Sequence, residues 1–590
     1  MKKAFIKLLR LFNKKEKKKL ILIFFLMIIA AFFETVGIGL IVPFVSVVTN
    51  PEIIQEQRAL SIVYEYFNFQ STASFTFFLA VLLLSIYIIK NLYLLLFYYI
   101  QNRVVLNQQV KLSRNLFQEY LSKPYLFHIQ QNSALLLRNV NEEVPKVFQG
   151  IVMSSFYLIT EFLVIICILI LLLTVAPLAT LTATLLLGGS VFLFFKFFRK
   201  KVSRLGKEQQ EVTGKMIKWV NQGLGASKEV KVTGKELFFV NAYTKYSQIS
   251  ANNLRFKNML EHAPRLFIET IVVTVVLITM VIIIFQGTNT SNLLATLALF
   301  AMAAFRLMPS INRVISMVNT IRYSQPALSI VYRDLYEGVY TNNLLLDKKE
   351  NKGLIEKTSY KHSIELKNVS FKYPLQNTAS LKEINLQIPI GSSVGIVGES
   401  GAGKTTLVDI ILGLLKPNKG EILVDGLLLD TQLSFWQKNI GYIPQSIFLS
   451  DESIRSNIAF GIDKDKIDES AVWKALEQAQ LMDYVKELPE QLNTIVGERG
   501  VRLSGGQRQR IGIARALYHD PQIIFMDEAT SALDNQTENE VMKAVYGLTG
   551  NKTLIIIAHR LSTIEKCDIV FTLNKGKLIS SQYKDKLSIM

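Results

Sequence analysis

Gly398-Glu399-Ser400-Gly401-Ala402-Gly403-Lys404-Thr405 has the residue types and spacing of a loop that cradles phosphates. Its glycines let backbone N–H groups approach phosphate oxygens, Lys404 reaches the β- and γ-phosphates, and the Thr405 hydroxyl reaches Mg²⁺. Gly398, Ser400, Gly401, Gly403, Lys404, Thr405 and Thr406 are therefore the expected nucleotide-binding residues. Farther along, Ile523-Ile524-Phe525-Met526-Asp527-Glu528 is an apolar run ending in two carboxylates. A buried parallel strand delivers acid groups to its C-terminal edge in this way.

The phosphate loop is followed by Leu503-Ser504-Gly505-Gly506-Gln507, and that pairing resembles the ABC ATPases. The resemblance implies that Ser504, Gly505, Gly506 and Gln507 cover the γ-phosphate of ATP held by a second nucleotide domain, so two copies are required. It further implies that Asp527 orients Mg²⁺ through water and that Glu528 polarises the attacking water. Gln445, in Ile443-Pro444-Gln445, resembles the residue that senses the metal and couples to the membrane part. Ser531-Ala532-Leu533-Asp534 looks like the D-loop, His559 like the switch histidine on the γ-phosphate, and Tyr373 like the aromatic that stacks on adenine. Singly, Tyr373 reads as a packing tyrosine and His559 as a core histidine. Together, in the family's order from Ile364 onward, they read as an α/β P-loop ATPase using ATP and Mg²⁺. Every hydrolytic residue type is present, which points to two competent sites in a homodimer.

These groups need elements to hold them, and the first half of the chain supplies something other than a soluble core. Half of the 590 residues are hydrophobic. The excess lies before about residue 322, in stretches that reach the ~20 residues needed to cross hydrocarbon as a helix. Six such spans are expected, at 20–48, 73–104, 150–174, 177–198, 265–286 and 292–320. Six in three hundred residues leave too little polar surface for a soluble helical core.

Lysine and arginine placement sets the orientation. The N-terminus carries Lys2, Lys3, Lys7, Arg10, Lys14, Lys15, Lys17, Lys18 and Lys19 against Glu16, and so stays in the cytoplasm. The polar loops 105–149 and 199–264 then share that side with the ATPase. The first apolar stretch is too long for a cleaved leader and reads as a retained anchor. The net charge of +19 sits beside the spans, where it fixes topology and meets anionic lipid, so no nucleic acid partner is expected. The two cysteines, Cys167 and Cys567, have neither metal nor disulfide spacing.

An α-helical membrane domain of six transmembrane helices followed by a P-loop ATPase is similar to the ABC exporter half-transporters. On that pattern residues 1–19 form a basic cytoplasmic N-terminus, 20–322 the membrane domain, 323–362 a linker and 363–590 the nucleotide-binding domain. The resemblance also implies short transverse helices at 122–135 and 223–236 that press on the ATPase, the second on the partner's. The chain is expected as a multi-pass protein of the bacterial cytoplasmic membrane, embedded in a lipid bilayer.

Span motifs around Glu34, Glu269 and Arg306 look like those of bacterial flippases for undecaprenyl-pyrophosphate-linked oligosaccharides, which serve protein glycosylation. Charges inside spans cost on the order of 3 kcal/mol and normally face a watery interior. Arg306 and Arg313 are seven apart, hence on one helix face. Lys90 is expected to share a polar stripe with Tyr87, Asn91 and Gln101. Arg306, Arg313, Lys90 and Glu34 are thus the candidate substrate residues, for an amphiphilic anionic lipid, with internal pairing of Arg306 to Glu34 or Glu269 as the competing account. The outer loop 51–70 has Ile53, Leu60, Val63 and Phe67 at helical spacing, suited either to a helix on the outer membrane surface or to a loop packed on the bundle. A lipid A or multidrug exporter, or a peptide exporter without a protease domain, is the alternative.

Overall fold

The computed structural model of the chain describes residues 2–175, 177–285, 290–337, 359–374, 376–528, 535–558 and 561–583; the side chains of 2–5, 282–306, 535–537, 561–562 and scattered helical positions lie outside that description. Two compact units emerge, one comprising Met1–Lys123 with Gln130–Leu346 and the other Pro124–Ile129 with Asp347–Met590.

In the first unit nearly every described residue is helical, as it must be where hydrocarbon offers backbone groups no partners. The helices are α1 (Lys2–Arg10), α2 (Lys14–Gly39), α3 (Ile41–Thr49), α4 (Ile53–Glu56), α5 (Arg58–Tyr66), α6 (Thr72–Ser122), α7 (Tyr125–Gln130), α8 (Ser133–Arg138), α9 (Ser154–Val175), α10 (Pro177–Gly225), α11 (Ser227–Thr233), α12 (Glu236–Phe285) and α13 (Thr290–Tyr332), with π-helical turns at Asn139–Glu143 and Lys146–Met153. Among the described residues three candidate spans qualify by length and apolar composition, Lys14–Gly37, Thr72–Ser122 and Ser133–Thr174. The other expected spans fall within α10, α12 and α13, whose apolar parts lie partly outside the described side chains. The first expected span is not one helix: it breaks at Leu40, just ahead of Pro43.

The polar segments, of helix-forming composition, are largely continuations of spanning helices. α6, with 51 residues, is about 75 Å long at 1.5 Å per residue, far more than a bilayer core of ~30 Å. α10 and α12 are nearly as long, with 49 and 50 residues. Short helices stand where transverse ones were expected, α7 after Pro124 and α11 after Ala226, the latter closed by Gly234 in the left-handed region at φ 62°.

Packing inside this unit is apolar toward the membrane level. Val164, Ile168 and Leu172 of α9 meet Ala31 of α2, Ile268 of α12 and Leu307, Ile311 and Ile315 of α13. In the outer loop Ile53, Ile54 and Leu60 are buried with Phe75. The single amphipathic helix expected there is instead two short ones parted at Gln57, and Phe67 is exposed rather than aligned with the buried set.

Toward the cytoplasm a polar network replaces the apolar packing. Tyr120 donates to Asp334 at 2.6 Å and accepts from Asn139 at 3.0 Å, and Arg138 donates to Asn139 at 2.8 Å and to the Gln210 carbonyl at 2.9 Å. Glu143, fully buried, accepts from Gln210 and from Lys146. Buried polar groups are tolerated only with partners, so this network fixes the register of α6, α8, α10 and the end of α13.

The second unit holds two sheets. Strands β1 (Ser363–Phe371), β2 (Leu381–Pro389), β4 (Lys419–Val424) and β5 (Leu427–Leu428) form an antiparallel sheet in the order β2-β1-β4-β5. The larger sheet has the order β10-β9-β3-β8-β7-β6, from β3 (Ser393–Gly398), β6 (Ile440–Ile443), β7 (Ile523–Asp527), β8 (Thr553–Ile557), β9 (Ile569–Asn574) and β10 (Lys577–Tyr583). The pairings of β3, β6, β7, β8 and β9 are parallel. β7 and β8 are buried at every position, as their apolar runs require in a sheet covered on both faces. Parallel neighbours end on one edge, so the segments after β3, β6, β7 and β8 emerge side by side. The core of this unit also takes Leu126 from the short helix α7.

Candidate functional site

The phosphate loop leaves β3 and enters the helix Lys404–Ile411 with three glycines in the left-handed region, Gly398 at φ 155°, Gly401 at 80° and Gly403 at 102°. Their reasons differ. A Cβ on Gly398 would stand 2.2 Å from the Leu573 carbonyl oxygen and one on Gly403 2.7 Å from that of Ser380, so packing forbids both. Nothing lies within 4 Å of a Cβ at Gly401, where the bare backbone is open to a ligand. Lys404 is buried, and its ammonium donates to the carbonyls of Gly398 at 2.8 Å and Glu399 at 3.2 Å, holding it at the mouth of the loop. Ser400 and Thr405 are exposed and Thr406 is buried. Tyr373 is edge-on to Phe371 at 4.9 Å, and its hydroxyl lies 3.4 Å from that of Thr406, which sets the ring beside this helix.

Asp527 closes β7 and is buried. Glu528, the next residue, has φ 46°, a conformation that costs a non-glycine residue on the order of 1 kcal/mol. Its N–H donates to the Ile557 carbonyl at 3.1 Å, and its carboxylate accepts from Gln445 Nε2 at 2.8 Å. The turn thus aims the carboxylate across the strand ends toward the segment after β6. Gln445 spends its amide N–H on Glu528, which leaves its carbonyl oxygen to face a cation. Among the described residues no cluster of three or more His, Cys, Asp or Glu forms a metal site. Mg²⁺ does not demand one, since one or two carboxylates, aided by water and substrate phosphate, are enough to hold it.

Ser504 caps the helix Gly505–Leu517: its hydroxyl accepts from the Gln507 N–H at 3.2 Å, and the Gln507 side chain accepts from the Ser504 N–H at 2.8 Å. The capping box fixes the first turn, and Gly505 keeps that turn bare. His559 and Asp534 lie outside the described residues. Ala558, which ends the described chain after β8, donates to the Ile396 carbonyl of β3 at 3.2 Å.

A carboxyl absent from the motif reading lies close by. Asp409, on the phosphate-loop helix, is pushed up to about 6 by burial and then by Asp527. The Tyr442 phenol is pushed up by burial and by Asp527, Asp409 and Tyr125, and that of Tyr125 by burial, Asp409 and Tyr373. The sequence signal for Asp409 was only an acid within the apolar run Leu407–Ile411.

In the first unit, Lys90 is buried and pairs with Glu34 at 3.4 Å, its ammonium 4.5 Å from the Tyr87 ring centre. One expectation needs correction. Asn91 is exposed and does not share the Lys90 stripe, because adjacent residues on a helix point about 100° apart. Glu34 engages Lys90, and Arg313 pairs with Glu161 of α9 at 2.7 Å, a carboxylate that the sequence reading did not consider. Glu269 is exposed. Arg306 lies on α13 with its side chain outside the described set. A lone acid in the apolar run Ser154–Val175 was the signal for Glu161.

Comparison with known proteins agrees along both units. Residues 381–531 match the family model described as ABC transporter, and residues 20–308 the one described as ABC transporter transmembrane region. The chain is 31% identical over 478 residues to the ATP-dependent lipid A-core flippase of Cupriavidus metallidurans, covering 80% of this chain and 78% of that protein. It is 30% identical over 471 residues to the protein of the same description from Methylococcus capsulatus, covering 79% and 76%. A solved structure of a bacterial Atm1-family ABC exporter with ATP bound superimposes with a TM-score of 0.77 at 22% identity, over 97% of this chain and 96% of that one.

Proposed function

The chain belongs to the ABC transporters, as an exporter half-transporter of the bacterial cytoplasmic membrane with its ATPase in the cytoplasm, and from that premise we propose that it flips a phosphorylated glycolipid of the lipid A-core class. What supports this class is the likeness, along 80% of the chain, to a relative named for that activity. A half-exposed Arg313 at the end of a buried Glu161 suits a phosphate-bearing headgroup.

ATP drives the movement. In the proposed cycle the phosphate loop and Lys404 hold the β- and γ-phosphates, and Tyr373 stacks on adenine. Thr405, Asp527 and the Gln445 carbonyl oxygen would hold Mg²⁺, which neutralises phosphate charge when bound. Ser504, Gly505, Gly506 and Gln507 of a second copy close over the γ-phosphate, so each nucleotide joins both chains of a homodimer. Glu528, steered by Gln445, orients the attacking water, and hydrolysis releases the two domains. His559 and Asp534 belong to the same proposal.

A second reading, an undecaprenyl-pyrophosphate-linked oligosaccharide, is favoured by the seven-residue spacing of Arg306 and Arg313 and by the aromatic cluster where the outer loop meets α6, in which Phe67, Phe69 and Phe78 have ring centres 5.2 to 6.1 Å apart. Proteoliposomes given each lipid in turn, with Glu528→Gln as the inactive reference, separate the two. ATP-dependent flipping of lipid A-core above that reference is expected. Flipping of the pyrophosphate lipid alone replaces the first reading with the second, and flipping of neither overturns both.

A further inference from the structure

The chain after β6 forms neither helix nor strand from Pro444 to Glu452, yet it carries Gln445 at its start. Irregular backbone keeps its conformational freedom unless side chains take it away. Here they come from the helix Gly505–Leu517. Arg515, near the end of that helix, donates from Nη1 to the Phe448 carbonyl at 2.8 Å, from Nε to the Asn457 carbonyl at 2.7 Å and from Nη2 to Asn457 Oδ1 at 3.2 Å. The Phe460 ring covers its guanidinium at 4.8 Å. Asn457, fully buried, extends the hold: its side chain accepts from the Ser450 N–H at 3.0 Å and donates to the Ser450 carbonyl at 3.0 Å.

One turn earlier on the same helix, Gly512 leaves a notch. A Cβ there would stand 2.1 Å from Ile447 Cδ1, so the bare glycine lets Ile447 seat against the helix. The Ile447 side chain and the Phe448 carbonyl are thus both fixed, a short step along the chain from Gln445. Gln445 in turn donates to Glu528 at 2.8 Å. Glu528 rests on its own turn and on Ile557, so Gln445 is the member of this pair whose place depends on the irregular segment.

Packing alone does not explain an arginine at this position. Its helical neighbours Ile511, Ile513, Ala514, Ala516 and Leu517 are buried and apolar, and among the described residues no carboxylate pairs with it. Burial lowers the guanidinium to about 10. A buried cation without an anion is unfavourable, so packing would select an aliphatic side chain here. What arginine adds is a rigid planar fork that bridges the carbonyls of Phe448 and Asn457, which the point charge of a lysine does not reproduce.

We propose that Arg515, together with the Gly512 notch, positions Gln445 on Glu528 for ATP hydrolysis, acting through the Phe448 carbonyl and Ile447. The inference rests on the reading of Glu528 and Gln445 as hydrolytic residues. Neither Arg515 nor Gly512 touches nucleotide in that reading. Both are positioning residues, and a shift of about 1 Å at Gln445 is enough to slow the chemistry.

The test measures ATP hydrolysis by the full-length transporter in lipid nanodiscs. The variants are Arg515→Lys, Gly512→Ala and Gln445→Ala, each of the first two combined with the third, and Arg510→Lys as a control on the same helix, where Arg510 pairs with Glu540. Arg515→Lys keeps the charge but loses the fork, and should lower kcat about tenfold with the KM for ATP within about twofold of wild type. Gly512→Ala, whose methyl meets only the far end of Ile447, should lower kcat in the same direction. In chains that already carry Gln445→Ala, both substitutions should have no further effect, because the group they place is gone. An unchanged kcat in the two single variants overturns the proposal. So does an equal fractional loss with and without Gln445, or an equal loss in Arg510→Lys, since either outcome makes the contacts a matter of fold stability. If Arg515→Lys fails to fold, Gly512→Ala decides by the same comparisons. A wild-type kcat in Gln445→Ala overturns the hydrolytic reading of Gln445, and the positioning role with it.

Discussion

Replacing the Glu161–Arg313 pair tests whether the intramembrane charges exist for structure or for transport. The Arg313 Nε lies 2.7 Å from Glu161 Oε1, with Glu161 almost fully buried and Arg313 45% exposed. At that separation the Coulomb attraction is about 6 kcal/mol with an effective dielectric of roughly 20. Desolvation of the carboxylate cancels much of it, and solvent screening of the arginine reduces the rest, so a net coupling of about 1–2 kcal/mol remains. Arg313→Met should cost more, about 3 kcal/mol, because it takes a paired cation away from a buried carboxylate. The apolar pair Glu161→Leu/Arg313→Met should regain most of that loss. Thermal unfolding of wild type, Glu161→Leu, Arg313→Met and the double variant in detergent would show the single variants a few degrees below wild type and the double variant close to it. Strictly additive shifts, with a coupling inside about 0.5 kcal/mol, would refute the pairing argument. Flipping by the stable double variant then answers the second question: wild-type transport makes the pair structural, and lost transport at restored stability makes Arg313 a contact for the lipid.

Three further outcomes follow from the ATPase unit. Gly398→Ala places a methyl 2.2 Å from the Leu573 oxygen and should lower stability by about 2 kcal/mol or more beyond its backbone strain, whereas Gly401→Ala, with open space around it, should cost only the strain of its left-handed φ, about 1 kcal/mol, and raise the Kd for ATP; equal thermal shifts for the two would contradict this division. Asp409 has its pKa raised to about 6, so its protonated form is favoured in the folded state, and stability falls as pH rises from about 4 through 6. Asp409→Asn should therefore raise the unfolding temperature at pH 7.5 in nucleotide-free, chelator-treated protein, by an amount that narrows as pH approaches 5; a gap independent of pH would exclude the carboxyl as its cause. Mixing Lys404→Ala chains with Ser504→Arg chains should recover ATP-dependent closure, read by cross-linking, because some dimers then hold one complete site. Closure no better than either parent would remove the trans arrangement.

The candidate site was legible because phosphate chemistry dictates local spacing: the proposed phosphate loop, Gly398 to Thr406, must be contiguous, and Asp527 with Glu528 must end an apolar strand. The left-handed turn at Glu528 was not legible, since nothing in Asp527-Glu528 announces it and Ile557 of the neighbouring strand holds it in place. The six apolar stretches announced a membrane protein and the polar segments between them read as helix-forming, yet not as unbroken continuations of the spanning helices. They carry the helix period without an apolar stripe, because long extensions bury polar partners such as Asn139, Glu143 and Gln210 in place of leucines. Ion pairs were the least legible feature. Arg313 and Glu161 lie on different helices, and only the packing of α9 against α13 decides that they meet. Lys90 and Asn91 failed as a stripe for a local reason that the helix angle alone could have supplied.

The short segment Pro124–Ile129 belongs with the ATPase although the chain from Gln130 to Leu346 separates it from the rest of that unit. During synthesis this segment is made before the membrane helices that follow it and long before β1. Leu126 therefore waits, without the core it packs against, until the last third of the chain has been translated. An ATPase expressed from β1 onward would fold with that apolar seat uncovered, and so would be prone to self-association. Assembly of this unit is a late, long-range event, and a ribosome stalled after the sixth span would leave a membrane domain in place with a docking tip and nothing to dock on.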